Sequence, residues 1–327
     1  MGVLADRLGR KNILVPSLFL FALAGFTCMF IRDFEWLIAV RFLQGIGAAS
    51  LGSLNITLIG DLYSGQQRVR AMGYNASVLS IGTASYPAIG GLLAIAGWYF
   101  PFILPILGVP LGILVLMKLK NPEPDSRQPL VKYISNTVRI INQKSVWGLL
   151  IVNTLVFFLI YGAYLTYLPL LLESRMHSNS FFIGLVMSLT SGTTAITSAS
   201  IGRINRLLKS RHILILGISF YFLAMLFYSF SYSYHFIILP AMLFGLGHGM
   251  FVPTVQTLLV GFAPLKERAA FMSVNSMVLR LGQTIGPLVI GLAYGLGGIS
   301  YAFFGGCVVA VVMLGCVLLL VKSTSNT

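Results

Sequence analysis

Charged residues are scarce in this 327-residue sequence. They make up 9% of the chain, whereas hydrophobic residues make up 57% and the mean hydropathy is +0.89. Soluble domains typically carry about a quarter charged residues, so a soluble protein with a very large core is excluded. The composition instead predicts an all-α integral membrane protein, because apolar runs this long cross lipid as helices.

Acidic residues are the rarest of the charged ones. The eight acids fall in predicted loops or at helix ends, and none lies in the middle of an apolar run, where a proton carrier is expected. They are Asp6, Asp33, Glu35, Asp61, Glu123, Asp125, Glu173 and Glu267. If a carboxylate carries protons across the membrane in this protein, it is expected on helices that precede Met1.

Several sequence signals of enzymes and cofactor sites are also missing. There is no phosphate loop of the form GxxxxGK followed by Ser or Thr, which argues against ATP hydrolysis by this chain. No nucleophile elbow, no paired catalytic carboxylates and no metal-ligand cluster are found. The three cysteines (Cys28, Cys307 and Cys316) lie in apolar runs without paired spacing and are interpreted as packing residues. We therefore predict no enzyme activity, no cofactor and no metal.

The segment from Arg68 to Gly91 recurs later in the chain, from Arg268 to Gly291. A shift of 268 − 68 = 200 positions aligns the two copies without a gap. Identical pairs include Met72 with Met272, Asn75 with Asn275, Leu79 with Leu279, Gly82 with Gly282, Pro87 with Pro287 and Gly91 with Gly291. A parallel repeat in so apolar a chain predicts two similar membrane bundles.

Ten apolar runs approach the roughly 20 residues that a membrane helix needs. They are 12–31, 36–59, 71–95, 98–117, 146–171, 180–202, 212–231, 235–260, 270–295 and 300–321. Four of these runs precede the linker and six follow it, so the repeat implies that two helices before Met1 complete a set of twelve.

The domain prediction follows from these runs. It places an N-terminal bundle at 1–120, a linker at 121–144 and a six-helix bundle at 145–327. The linker contains Pro122, Pro124 and Pro129, which break helices. After them, apolar residues at helical spacing predict either a short interfacial helix or a solvated loop helix.

The distribution of Lys and Arg predicts the orientation. With the 2–11 loop in the cytoplasm, eighteen basic residues lie on the cytoplasmic side and only Arg32 and Arg175 lie outside. The 118–145 linker and the C-terminus are then cytoplasmic, in a plasma or inner membrane. This asymmetry explains the net charge of +14 without nucleic acid as a partner, and we expect a monomer in the bilayer.

Three motifs carry a resemblance to a known family. Residues 2–11 read GVLADRLGRK, residues 41–49 read RFLQGIGAA, and the 73–91 segment carries spaced glycines with Tyr86-Pro87. Together they resemble the major facilitator superfamily, and in particular its twelve-helix drug–proton antiporter branch. The resemblance covers the whole chain, with one departure: Tyr86 stands where the family usually has glycine.

The resemblance implies a fold of two bundles and transport by alternating access. It further implies proton-coupled efflux of small amphipathic or drug-like molecules, with the substrate and protons as partners. Two alternatives stay open. One is a proton-coupled symporter for a polar solute such as a sugar or an organic anion, which the Tyr86 departure leaves possible. The other is a truncated fragment that transports nothing.

A gating latch is expected at the cytoplasmic loop. The resemblance implies that Asp6 belongs to a charge network that holds the two bundles together, with Asp61 as a partner of Arg7 or Arg10. The alternative is a purely topological anchor. The residues assigned to this latch are Gly2, Asp6, Arg7, Gly9, Arg10, Lys11 and Asp61.

A proton and substrate pathway is expected within the helices. Arg41 and Arg280 lie inside apolar runs, where an Arg is costly unless it faces a cavity or a partner. The alternative for Arg41 is a side chain that extends to the outer interface. The alternative for Arg280 is a guanidinium bound by backbone carbonyls or hydroxyls, and that for His248 is a neutral core histidine. The residues assigned to the pathway are Arg41, Gln44, Asn75, Tyr161, Tyr164, His248, Arg280 and Gln283.

The repeated glycines and prolines predict close helix crossings and matched bends. Ordinary helix packing is the competing interpretation. The residues in this antiporter-type motif are Gly82, Pro87, Gly90, Gly91, Gly282, Gly286 and Pro287.

Overall fold

The structure is a computed structural model that describes residues 10–62, 65–119, 143–262 and 268–321. In these ranges the chain is helical apart from short connections. It divides into two compact units, Met1–Arg127 and Gln128–Thr327, which are treated separately below.

The first unit contains four described helices. They are α1 (Arg10–Thr27), α2 (Phe34–Leu62), α3 (Gly65–Ala96) and α4 (Phe100–Lys118). The first part of α4, Phe100–Leu107, winds as a 3₁₀ helix before the α-helical part begins at Gly108. Pro105 lies in this part and cannot donate the hydrogen bond that an α-helical turn requires.

Helix α1 is the centre of the first unit and packs against both α2 and α4. Gly47 of α2 lies against the α1 backbone, since a Cβ at this position would come within 2.6 Å of the Phe21 nitrogen. The Ser50 hydroxyl donates to the Ser17 hydroxyl across the same contact, at 2.7 Å. Small residues thus let the two backbones approach closely, as in other membrane helix pairs.

The second unit contains six described helices. They are α5 (Lys144–Met176), α6 (Ser180–Leu207), α7 (Ser210–Ser229), α8 (Ile238–Phe262), α9 (268–296) and α10 (299–320). Helices α9 and α10 follow each other directly within Arg268–Leu320, and the helical backbone is interrupted between them at Gly297 and Gly298. Gly298 has a φ of +73°, a backbone conformation that glycine adopts without steric cost.

The second unit has a large aromatic and aliphatic core. Helix α5 packs on α9 and α10, α7 packs on α8, and α8 packs on α6. Tyr221, Phe244, Phe251 and Phe303 are almost fully buried between these helices. Helix α6 begins with a side-chain cap, in which Asn179 accepts a hydrogen bond from the Phe182 amide at 2.9 Å.

The all-α membrane fold predicted from the sequence is confirmed. The helices α1 to α10 correspond in order to the ten predicted apolar runs. Seven described segments are long and apolar enough to span a membrane, and one of them, Val274–Leu320, contains both α9 and α10. Helix α1 falls outside this set, and in α3 the apolar part, Ile81–Ala96, is short. The linker helix predicted after Pro129 lies outside the described residues.

Candidate functional site

The predicted latch lies largely outside the described residues. This applies to Gly2, Asp6, Arg7 and Gly9, and to the side chain of Asp61, whose backbone ends α2. Arg10 and Lys11 form the first turn of α1, where both are half-buried. The charge network therefore stays a prediction.

Arg41 lies in the second turn of α2, about 10 Å along the helix axis from its first residue. Its Nη1 donates to Gln44 Oε1 at 2.9 Å, and the guanidinium carbon lies 4.6 Å from the centroid of the Phe102 ring. The described partners of this cation are thus an amide oxygen and an aromatic face. Gln44 is buried and packs against Gly25 of α1, so α1, α2 and α4 together position the guanidinium.

The repeated asparagines both accept a hydrogen bond through Oδ1 from another helix. In the first unit, Asn55 Nδ2 donates to Asn75 Oδ1 at 2.6 Å. In the second unit, Asn153 Nδ2 of α5 donates to Asn275 Oδ1 at 2.8 Å. Asn275 Nδ2 in turn lies 3.4 Å from Gln256 Oε1 of α8. The second unit thus joins three helices through amides, of which Asn153 and Asn275 are buried.

Tyr164 and His248 lie in one aromatic cluster inside the second unit. Tyr164 stacks on Phe244 with ring centroids 4.2 Å apart, and His248 also lies over Phe244. His248 Nδ1 is 2.7 Å from the Tyr221 hydroxyl. His248 is therefore a hydrogen-bonded, half-buried histidine, and its assignment to the pathway stays a prediction.

Two other residues assigned to the pathway, Tyr161 and Arg280, are exposed on the second unit. Tyr161 stacks on Phe157 and shows 37% of its surface. Arg280 is exposed on α9, and no partner of its guanidinium is found within the described ranges. Gln283, three residues further, is half-buried. Tyr161 and Arg280 are thus accessible on the surface of the second unit, whereas Tyr164 is enclosed by it.

The glycines of α9 form the closest helix contact of the second unit. A Cβ at Gly286 would come within 2.6 Å of the Phe158 carbonyl oxygen. Conversely, a Cβ at Gly162 would come within 2.6 Å of the Gly286 carbonyl oxygen. Gly282 lies one turn earlier against Thr154 of the same helix. The crossing of α5 and α9 therefore depends on the absence of side chains at three positions.

The glycines of the repeated segment on α3 differ, since Tyr86 stands at the position of Gly286 and Ile290 stands at that of Gly90. A Cβ at Gly90 would meet no atom within 4 Å, and a Cβ at Gly82 would meet first the ring of Tyr86, on the same helix. Pro87 and Gly91 are half-buried in the first unit, as Pro287 is in the second.

Two features of the second unit were not predicted. Helix α5 contains a π-helical turn, Ile160–Tyr164, of the kind that often occurs at functional positions. The other feature is Arg175, which donates to the carbonyls of Ser229 and Ser231 and to the Ser300 hydroxyl, while its guanidinium covers the Tyr232 ring. The count of basic residues placed Arg175 on the outer side, where such residues are rare. This unusual position was the sequence signal that could have identified it.

Comparison with known proteins places this arrangement in a family. A sequence model described as Major Facilitator Superfamily matches residues 1–231 and 176–326. A protein named bacillibactin exporter from Bacillus subtilis (strain 168) is 27% identical over 303 residues, which cover 88% of this chain and 75% of the relative. A protein named multi-drug resistance efflux pump PmrA homolog from Lactococcus lactis subsp. lactis (strain IL1403) is 25% identical over 296 residues, covering 88% and 72%.

Solved structures share the fold at low identity. A POT family transporter in complex with a thioalcohol-conjugated peptide has a TM-score of 0.77 at 16% identity, with 97% of this chain and 82% of that chain covered. A bacterial homolog of the human lysosomal transporter Spinster, inward-facing and occupied, has a TM-score of 0.71 at 15% identity, with 95% and 82% covered. Family match and fold agree: the chain belongs to the Major Facilitator Superfamily of membrane transporters.

Proposed function

We propose that this protein exports small amphipathic or drug-like molecules, driven by inward proton flow. The observation that carries the proposal is the similarity, over 88% of the chain, to relatives named as an exporter and an efflux pump. Export by alternating access needs two bundles that change their relation to a central cavity. The repeated segment and the close crossing of α5 and α9 support such bundles, because they give a well-packed body that can move as a unit.

The pathway in this proposal uses residues from both units. Arg41, with Gln44, offers a fixed positive charge inside α2, while Arg280 offers an exposed one on α9. Tyr161 and Gln283 are accessible on the second unit, and Asn75 lies at the repeat position in the first. Tyr164 and His248 support the pathway from within the core, since both contact Phe244.

The orientation in this proposal follows the basic residues. The 2–11 loop, the 118–145 linker and the C-terminus lie in the cytoplasm of a cell bounded by a plasma membrane. Eighteen Lys and Arg residues on one side against two on the other support it. Asp6 and Asp61 then lie on the inner side, where a latch between bundles would bias the equilibrium between inward-open and outward-open states.

A symporter for a polar solute is the second candidate, because of Tyr86. This residue replaces the usual glycine before Pro87, and it is 65% exposed on α3. A bulky, exposed side chain at this place differs from the small residue, Gly286, that precedes Pro287 in the second repeat.

Ethidium efflux from cells tests the two candidates. Cells that express the chain are loaded with ethidium, a small amphipathic cation, and its loss is followed by fluorescence with and without a protonophore. We expect faster loss on expression, abolished when the proton gradient is dissipated. Gradient-dependent accumulation of ethidium would overturn export in favour of symport, and an unchanged ethidium level would contradict drug export.

A pair of arginine variants provides the matched control. Arg41→Ala removes the cation that Gln44 and Phe102 position, whereas Arg32→Ala removes an exposed arginine at the start of the same hairpin. We expect at least about a tenfold loss of efflux rate for Arg41→Ala, the size of a lost charged hydrogen bond. Arg32→Ala should keep most of the rate at equal expression. Equal rates for the two variants would remove Arg41 from the pathway.

A further inference from the structure

Helix α8 contains a proline that leaves one carbonyl without its usual donor. Pro253 lies within the helix, four residues after Gly249. In an α-helix the amide of each residue bonds the carbonyl four residues earlier, and proline has no amide hydrogen. The Gly249 carbonyl therefore loses its regular partner in the middle of a membrane helix, where an unsatisfied backbone group is costly.

Ser198 of α6 supplies the missing donor. Its hydroxyl donates to the Gly249 carbonyl oxygen at 3.3 Å. One turn earlier on the same seam, the Thr194 hydroxyl lies 3.2 Å from the Gly245 carbonyl and also 2.9 Å from the Thr190 carbonyl of its own helix. Gly245 keeps its regular donor, the amide of Gly249. The two contacts have similar geometry, but only the Ser198 bond replaces a backbone bond that the helix has lost.

The part of α8 before Pro253 is held firmly by neighbouring helices. His248 pairs with Tyr221 of α7 at 2.7 Å. At Gly247, a Cβ would come within 2.8 Å of the Gly217 carbonyl oxygen of α7. At Gly249, a Cβ would come within 2.7 Å of the Thr194 carbonyl oxygen of α6.

The part after Pro253 has a weaker polar attachment. Val255 and Leu259 are buried by apolar packing, and the polar contact with another helix that is found among the described residues of this part joins Gln256 to Asn275 of α9 at 3.4 Å. Gly261, near the end of α8, is exposed and has open space around it.

From this contrast we infer that Ser198 is a positioning residue, which binds the carbonyl that Pro253 leaves free and thereby fixes the angle between the segment 254–262 and the part of α8 before Pro253. The inference rests on the proposed transport function for its role in turnover, but not for its effect on geometry. When the Ser198 hydroxyl releases the carbonyl, the segment beyond Pro253 gains freedom to change its angle. When the hydroxyl binds it, one angle is favoured.

A cycle of variants at Ser198 and Pro253 tests this inference. In Ser198→Ala the Gly249 carbonyl has no donor, whereas in Pro253→Ala the amide of residue 253 is restored. The Ser198→Ala change should therefore have a large effect on the angle of the segment 254–262 when made alone. It should have almost none in the Pro253→Ala background. Ser198→Thr keeps the hydroxyl and should restore the native behaviour. Thr194→Val is the matched control, since Gly245 retains its backbone donor.

The measurement is a distance that reports the angle directly. Spin labels at Lys144→Cys on α5 and Gly261→Cys on α8 are placed in the full chain with its three cysteines replaced by alanine. Double electron–electron resonance should show a shifted or broadened distribution of the distance between the two labels in Ser198→Ala. It should show the native distribution in Thr194→Val, Ser198→Thr and the double variant. Ethidium efflux should slow about fivefold in Ser198→Ala, as expected for one hydrogen bond, with the half-saturating ethidium concentration unchanged.

The possible outcomes separate the two proposals. A shifted distance without any ethidium transport supports the role of Ser198 and contradicts drug export. An unchanged distance in Ser198→Ala overturns the inference, whatever the transport rate. An equal shift in Ser198→Ala with and without Pro253 overturns it as well, because the effect would then be independent of the freed carbonyl.

Discussion

Helices α3 and α9 share a repeated sequence but differ in what surrounds them. On α9, Gly282 and Gly286 lie directly against the backbone of α5. On α3, a Cβ at Gly82 would first meet the ring of Tyr86, and a Cβ at Gly90 would meet no atom within 4 Å. Large side chains near these glycines on α3 are exposed, for example Val78 and Ile81 at 70% and 68%. Gly82 and Gly282 occupy equivalent positions of the repeat, yet the atoms nearest to an added Cβ lie on the same helix at Gly82 and on α5 at Gly282.

The difference lies in the partner helix. Helix α5 supplies the Thr154 and Phe158 backbone atoms that a Cβ at Gly282 or Gly286 would meet. A glycine motif therefore permits close approach but does not itself supply the stabilisation, which comes from the backbone and side chains of the opposite helix.

The largest effect that should separate α3 from α9 is steric. We predict that Gly286→Leu destabilises the second unit by about 3 kcal/mol or more, since its side chain would push against the Phe158 backbone, which has little room to move. Gly90→Leu should cost less than about 0.5 kcal/mol, because the new side chain enters open space.

Two native cysteines allow this to be measured unit by unit. Cys28 is buried in the first unit and Cys307 in the second, so thiol labelling during heating reports the unfolding of each separately. Gly286→Leu should expose Cys307 at a lower temperature. Equal shifts for Gly286→Leu and Gly90→Leu would show that the contact with α5 does not distinguish the repeats.

The repeated asparagines should separate the units by a smaller amount. We predict that Asn275→Leu costs about 2 kcal/mol, because it leaves the buried amide of Asn153 without its acceptor. Asn75→Leu should cost about 1 kcal/mol or less, since its partner Asn55 is exposed. The same thiol-labelling assay measures both.

A double variant tests the reason for this difference. Replacing Asn153 and Asn275 together by leucine removes donor and acceptor at once, and this should recover part of the stability lost in Asn275→Leu. If the double variant loses more stability than the two single variants lose together, the penalty of an unpaired amide is not the cause.

The sequence predicted the architecture well because that architecture follows from hydropathy and repetition. Ten apolar runs match ten helices, although α1 and the apolar part of α3 are weaker than the rest as membrane spans. Helix α1 starts with Arg10, Lys11 and Asn12, and in α3 the apolar part begins only at Ile81. Hydropathy and repetition are both properties of many residues together, so one or two weaker helices do not change the prediction.

The arrangement of side chains was much harder to predict, since it depends on which helix faces which. The sequence singled out His248 and Tyr164, but not Tyr221 and Phe244, which determine their surroundings and lie on α7 and α8. No local pattern indicates that Ser198 lies opposite Gly249. Such pairs arise from the register of two helices, which a single sequence without alignment does not reveal.

The smallest difference is expected between Arg32 of the first unit and Arg175 of the second. Arg175 donates to Ser229, Ser231 and Ser300, so it joins α5 to the ends of α7 and α10. Arg32 donates to the nearby carbonyls of Met29 and Ile31, and its guanidinium lies 3.8 Å from the Tyr99 ring centroid and 5.6 Å from that of Trp98. Arg→Lys keeps the charge at each site but loses the planar set of donors.

We therefore predict a loss of about 1 kcal/mol for Arg175→Lys and about 0.5 kcal/mol for Arg32→Lys, which mainly weakens the contact with an aromatic ring. Labelling of Cys307 should move to lower temperature in the first variant, with Cys28 unchanged. Ser300→Ala is the control for the mechanism, because it removes one acceptor of Arg175 and leaves its charge and stacking intact. A Ser300→Ala variant as stable as the native protein would mean that the guanidinium is held by the Ser229 and Ser231 carbonyls alone, so that the bond to α10 adds nothing to the stability of the second unit.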